Sequence, residues 1–275
     1  DPWLHGSRLP APQRFSGYQS DVLCHRAAEY LASRVARANE RPGESREPRA
    51  SAPWFAVVSL EAPHPPYNAP SAEVLPRDPR EIQLRPNVPR GGVIEEKARG
   101  ELAGYHAHIT ATDCAIGRLV DRVAVENTIV VFTSVHGDMH GSHGLFRKGW
   151  PYEESVRVPL LVRRSTTQRN LMGECNTPIS LADLREFTLA WAAGLPAAET
   201  RGFSPISMPT VVALPHQCDR AWRGLRTSSR KLILNEDGSP WLFFDLEQDP
   251  YEQENLIDDP TRVDEIATLR SWIQP

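Results

Sequence analysis

TIVVFTSVHGDMHGSHGLFRKGWPYEESVRVP, residues Thr128–Pro159, decides how this chain is read. Its opening run, Thr128–Ser134, is β-branched and apolar and predicts a buried strand. The run empties into a loop rich in glycine and histidine, followed by Lys148 and the block YEESVRVP. In open α/β sheets ligands bind beyond the carboxyl ends of strands, so this loop is where chemistry is expected. His136, His140 and His143 stand four and three residues apart within it. That spacing permits imidazoles around zinc. The intervening glycines favour a loop with solvated histidines instead, and no HExxH pattern is present.

Upstream, a helix is predicted from Ser20, as N-cap, to about Ala38, with Leu23, Ala27, Tyr30, Leu31 and Val35 on one face. Asn39–Pro53 is polar, charged and broken by proline, hence a surface loop with the composition of a disordered one. Trp54–Leu60 is continuously apolar and predicts a second buried strand, ending in Glu61-Ala62-Pro63-His64-Pro65-Pro66-Tyr67. A Pro-rich loop, Asn68–Gly92, leads to a long helix from about Ile94 to Val125. Its stripe is Ala98, Leu102, Tyr105, Ile109, Thr112, Ile116, Leu119 and Val123. Strand, helix, strand in this order suggests a right-handed crossover in a largely parallel sheet.

Downstream, Leu160–Arg163 is a short strand candidate. Ser180 with Asp183 forms a capping-box signature, with an Ile179/Leu184 staple, for a helix ending at Gly194. Lys231–Leu234 and Trp241–Asp245 predict a hairpin across Glu236-Asp237-Gly238-Ser239, and Thr261–Ile273 a last helix. The expected organisation is an α/β part, residues 1–200, and a small C-terminal α+β subdomain, residues 201–275, of antiparallel hairpin plus helix.

The 275 residues suffice for a full core, and the net charge of -4 gives no reason to expect nucleic acid. No apolar run approaches the roughly 18 residues of a membrane span. Cys24, Cys114, Cys175 and Cys218 form no CxxC pair and are expected as free thiols. The chain opens DPWLHGSRLP, with neither initiator Met nor signal-peptide pattern, and is read as a piece of something longer whose compartment stays open.

Three blocks carry a family resemblance: FAVVSLEAPHPPY (Phe55–Tyr67), the Thr128–Pro159 run, and RTSSRKLILNEDG with LFFDLEQDPYEQENL (Arg226–Gly238 and Leu242–Leu256). In this order and spacing they resemble the sulfatases of the alkaline-phosphatase superfamily, from about Gly17 onward. The implied fold is a partial alkaline-phosphatase-like mixed sheet flanked by helices. By the resemblance, His64 matches the histidine that contacts the sulfate ester and helps protonate the leaving oxygen. Lys148 matches the lysine that binds a sulfate oxygen. His136 matches a ligand of the family's divalent cation, usually calcium. The implied partners are small-molecule or glycan sulfate esters, and the chain's own missing N-terminal segment.

The departures bear on activity. Where the family has Asp-His-Gly, this chain has Val135-His136-Gly137, and an isopropyl group cannot bind a hard cation. The Asp-Asp pair of the family's first strand and its C/S-x-P-x-R nucleophile motif, converted to formylglycine, are not in this sequence. Cys114-Ala115-Ile116-Gly117-Arg118 lacks the proline and lies within a helix stripe, so Cys114 is not the nucleophile. Asp138 offers no rescue, because the family carries an acid there without using it as a ligand. The expectation is a sulfatase-like fragment that by itself neither holds calcium nor turns over sulfate esters. Two alternatives stand beside it: a degenerate, non-catalytic relative, and a hydrolase of phosphate esters or phosphonate monoesters in the same superfamily.

Overall fold

The computed structural model describes residues 3–6, 9–39, 54–68, 74–123, 128–163, 173–196 and 200–273. The chain divides into two compact units. One comprises Asp1–Gln83, Glu96–Val130 and Val162–Asn170; the other comprises Leu84–Glu95, Val131–Leu161 and Leu171–Pro275.

In the first unit, β1 (Trp3–Gly6) pairs antiparallel with β2 (Leu9–Arg14). Helix α1 (Gln19–Asn39) begins one residue before its expected cap. Ser20 lies inside the helix, fully buried, with its hydroxyl 3.2 Å from that of Thr112. Among the described side chains of α1 the buried ones are Ser20, Cys24, Ala28 and Leu31, while Tyr30, expected on that face, is exposed. Polar contacts, with Tyr18 also 2.9 Å from Thr112, turn the helix by about one residue from its apolar optimum. Val35 falls among side chains outside the described residues, as does most of the Asn39–Pro53 loop.

Helix α2 (Val93–Asp121) ends earlier than its periodicity suggests. Its buried face is narrow and small: Ala98, Ala103, Gly104, Ala107, His108, Ala111, Thr112 and Ala115. Ile109, expected in the stripe, is exposed. Small residues win because backbone approaches closely here: a Cβ on Gly104 would lie 2.1 Å from the Tyr67 carbonyl oxygen. The run Trp54–Leu60 is not a strand, and Phe55 and Val57 are 75% and 76% exposed. A strand needs a partner for its N–H and C=O groups, and none pairs with it among the described residues. The expected crossover lacks its first strand for the same reason.

Strand β3 (Val130–Thr133) and β4 (Leu160–Arg163) form a two-stranded sheet. Contrary to the expectation of burial for the first of these, Val131 and Phe132 are exposed, as is Leu161 of the second, since two short strands cover little of one another.

The second unit holds the main core. Strands β5 (Phe203–Met208), β6 (Trp222–Thr227), β7 (Arg230–Asn235) and β8 (Pro240–Asp245) form an antiparallel meander in that order. The hairpin read from sequence is its β7–β8 pair, turning at Gly238 with φ +83°. On one face Leu225, Leu232, Leu234 and Phe243 pack with Ile266 and Leu269 of helix α5 (Val263–Trp272). The other face packs Trp222, Ile233, Leu242 and Phe244 around Cys218, with Trp150 and Tyr152 against them. The one-turn helix α3 (Glu153–Val156) lies in this unit, as does α4 (Leu184–Ala192), which is entered through the expected Ser180–Asp183 capping box.

Candidate active site

The loop after β3 is fixed at both ends by α3. The Gly137 N–H donates to the Ser155 carbonyl at 2.8 Å, and the Gly149 N–H donates to the Ser155 hydroxyl at 3.1 Å. Gly137 has a steric reason to be glycine, since a Cβ there would sit 2.0 Å from the Glu154 carbonyl oxygen. Between these ends the loop folds on itself. Met139 N–H donates to the Arg147 carbonyl at 2.8 Å, and Gly141 N–H to the Leu145 carbonyl at 2.7 Å. Met139 and Phe146 anchor it as buried apolar side chains.

Three non-glycine residues in this loop, His140, His143 and Arg147, have positive φ values of 43°, 55° and 68°. Left-handed backbone costs of order 1–3 kcal/mol at such residues and persists only where surroundings impose it, a pattern concentrated at functional loops. Asp138 supplies part of that imposition by accepting the His140 and Arg147 N–H groups at 3.2 and 3.1 Å. It thereby organises the loop.

His136 and Lys148 sit on this one loop, both half-buried. His136 Nδ1 donates to the Gly137 carbonyl at 2.8 Å; a carbonyl only accepts, so Nε2 is the ring's acceptor atom. His64 belongs to the other unit, exposed, with its Nδ1 donating to the Pro65 carbonyl at 2.9 Å and the same tautomer imposed. Val135 is 81% exposed. Calcium takes roughly six to eight oxygen ligands. A valine beside one imidazole does not fit that cation. Cys114 is a free thiol on an exposed face of α2.

Beneath the loop lies a buried polar network that the sequence did not single out. The Lys231 ammonium, with no exposure at all, lies 2.7 Å from Glu153 Oε1 and 2.6 Å from Glu252 Oε1, and donates to the Pro151 carbonyl at 3.1 Å. Glu252 Oε2 accepts the Glu153 N–H at 2.7 Å. Arg226 adds a second cation, 3.3 Å from Glu153 Oε2. Burial raises the Glu153 carboxyl, but Lys231 and then Arg226 outweigh it and hold the group below the usual range. Burial pushes Glu252 above that range, and Lys231 offsets only part of it.

A second branch runs through Asn87, whose amide donates to Glu154 Oε1 at 2.9 Å and to the Tyr251 carbonyl at 3.0 Å, with His143 Nε2 3.1 Å from the same nitrogen. The His143 ring stacks on Tyr152 at 4.0 Å. Burial, ahead of the opposing Glu154 and Asp249, holds this imidazole below its usual range.

His136, His140 and His143 do not converge on one point. Among the described residues the group of three potential ligands that does form is His143, Glu154 and Glu252, with ligand atoms within 4.8 Å of one another. Both Glu252 oxygens and His143 Nε2 are already engaged by Lys231, the Glu153 N–H and Asn87. Glu154 Oε2 is buried and has no hydrogen-bond partner.

The family profile described as Sulfatase matches residues 11–195. The ulvan-active sulfatase of Formosa agariphila is 32% identical over 251 residues, covering 82% of this chain and 47% of that protein. The choline-sulfatase of Rhizobium meliloti is 29% identical over 270 residues, covering 85% and 51%. The chain thus spans about half the length of these curated relatives. Among solved structures, a Bacteroides fragilis protein named as the sulfatase yidJ superposes with TM-score 0.76 at 23% identity, over 99% of this chain and 61% of that one. The phosphonate monoester hydrolase of Agrobacterium radiobacter superposes with TM-score 0.66 at 18% identity, over 92% and 60%.

Proposed function

Because the chain belongs to the sulfatase family, we propose that it is the central and C-terminal part of a sulfuric ester hydrolase. Its fold is the mixed α/β fold of the alkaline-phosphatase-like sulfatases, and the family generally uses a divalent metal. The observation that carries the reading is the loop after β3, pinned at Gly137 and Gly149 by Ser155 and presenting Lys148. An ammonium held there stabilises negative charge on a transferring sulfuryl group, an interaction that strengthens as charge develops. His64, with Nδ1 committed to the Pro65 carbonyl, keeps Nε2 for the leaving oxygen. In the imidazolium form Nε2 delivers its proton as the ester bond breaks, the ring returns to the Nδ1–H tautomer, and the neutral alcohol departs.

The nucleophile in this proposal is the formylglycine of the family, carried by a part of the enzyme other than residues 1–275. Residues 1–275 alone then bind a sulfate group without turning the ester over. The relatives are named for ulvan, a glycan, and for choline sulfate, a small ester; a sulfated glycan or small sulfate ester is accordingly the proposed substrate class. A second reading, hydrolysis of phosphonate monoesters, is favoured by the fold shared with two enzymes named for that activity.

The test is an aryl sulfate assay on the 275-residue chain and on a longer form bearing the nucleophile, each with and without Val135→Asp. The chain alone is expected to give no turnover above buffer, and Val135→Asp to raise the longer form's kcat. Turnover by the short chain at the rate of an intact sulfatase would overturn the reading. An aryl phosphonate monoester assayed in parallel separates the two substrate classes.

A further inference from the structure

We propose that Lys231 and Glu252 are positioning residues: with Glu153 they form a buried latch by which the C-terminal sheet sets the placement of the Lys148 loop. This rests on the role given to Lys148 above. The Lys231 ammonium has three protons and three acceptors around it, Glu153 Oε1, Glu252 Oε1 and the Pro151 carbonyl. The ammonium is thus held by two ion pairs and one hydrogen bond. Two of those acceptors belong to the segment Pro151–Glu153, immediately before Ser155. Glu252 grips the same segment a second time, accepting the Glu153 N–H. It does so from left-handed backbone at φ +55°, a conformation the surroundings must impose on a glutamate.

Ser155 then passes this placement on, bonding Gly137 through its carbonyl and Gly149 through its hydroxyl. His136 and Lys148 are the chain neighbours of those two glycines. The β6 strand adds a parallel tie, the Trp222 indole N–H donating to the Gly149 carbonyl at 2.8 Å.

The chemistry of the latch favours placement over stability as its role. Desolvating an ammonium and two carboxylates offsets most of their attraction, so an apolar core of the same volume holds a fold at least as well. What apolar packing does not supply is direction. Charged groups with few acceptors tolerate one geometry, and here that geometry fixes where α3 sits under the loop.

Amide hydrogen exchange on the 275-residue chain, with inorganic sulfate titrated by NMR, tests the latch. Three proteins are compared: wild type, Glu252→Gln, and the neutral triple Lys231→Met with Glu153→Gln and Glu252→Gln. The triple removes the three charges of the latch together, leaving only the partly exposed Arg226 without its carboxylate, and gives a second sample if the single variant fails to fold. Expected in the variants is at least tenfold faster exchange at the Gly137 and Gly149 amides and at least fivefold weaker sulfate binding. Exchange in the β7–β8 ladder, at Leu232 and Ile233, should stay unchanged. Unchanged exchange at Gly137 and Gly149 overturns the latch, as does faster exchange with undiminished sulfate affinity. A wild type that binds no sulfate while its variants exchange faster leaves the latch standing and removes the sulfate role of Lys148.

Discussion

Two apolar stretches of this chain look alike on paper and end up in opposite environments. WFAVVSL, residues 54–60, is as continuous and β-prone as KLIL in β7 or WLFFD in β8. Leu232, Ile233 and Phe243 have no exposure, whereas Phe55 and Val57 keep about three quarters of theirs. The difference is the company each keeps. Strand β7 has β6 and β8 as ladder partners and a layer on either face; the 54–60 run has no paired strand among the described residues. An apolar run states a demand for burial, and the rest of the fold decides whether it is met.

The largest effect that sharpens this comparison belongs to the C-terminal core. Phe243→Ala removes a ring from between β7 and α5 and should destabilise the chain by about 3–5 kcal/mol in urea unfolding. A loss below about 1 kcal/mol would mean that the four-stranded sheet is not the cooperative core.

How far the sequence carried the reading follows the same division. Local signals were sufficient where the determinant is local. The Ser180–Asp183 capping box, the turn at Gly238 and the β7–β8 hairpin all appear where the residues placed them. Signals failed where the determinant is a distant partner. Tyr30 and Ile109 were expected inside and are exposed, because the buried faces of α1 and α2 are chosen by Ser20–Thr112 and by the close approach of Tyr67 to Gly104. For the site, His136 and Lys148 were legible as one loop. The latch beneath them was not, since Lys231 and Glu252 lie 78 and 99 residues from Glu153 and no local pattern links them.

A smaller effect comes from His143, in the junction between loop and core. The folded imidazole is held below its usual range, mainly by burial, so the unfolded chain binds a proton near pH 6.5 while the folded chain does not. Stability therefore rises with pH wherever the unfolded state binds more protons. This contribution is fully present above about pH 6.5 and is lost as pH falls through the window beneath it. Glu153, held below the usual carboxylate range, loses its own contribution at still lower pH. Urea midpoints between pH 7.5 and 5.5 should decline for the wild type and flatten for His143→Gln. Glu252, raised by burial, contributes with the opposite sign, so the His143 share is read as the difference between the two proteins; identical profiles would place that ring in water.

The smallest expected effect is the one best able to break the comparison. Val57→Thr keeps the β-branched shape and adds a hydroxyl. At an exposed position such a change lies within about 0.5 kcal/mol; at a buried one the unpaired hydroxyl costs several times more. Unfolding of the 275-residue chain should therefore hardly register the substitution, while its solubility limit rises as one member of an exposed apolar run is lost. A loss of 2 kcal/mol or more would mean that 54–60 finds a partner in solution, and the distinction between the two stretches would vanish. A near-zero effect accompanied by less aggregation would show that the run is exposed in the 275-residue chain and that its apolar surface drives self-association.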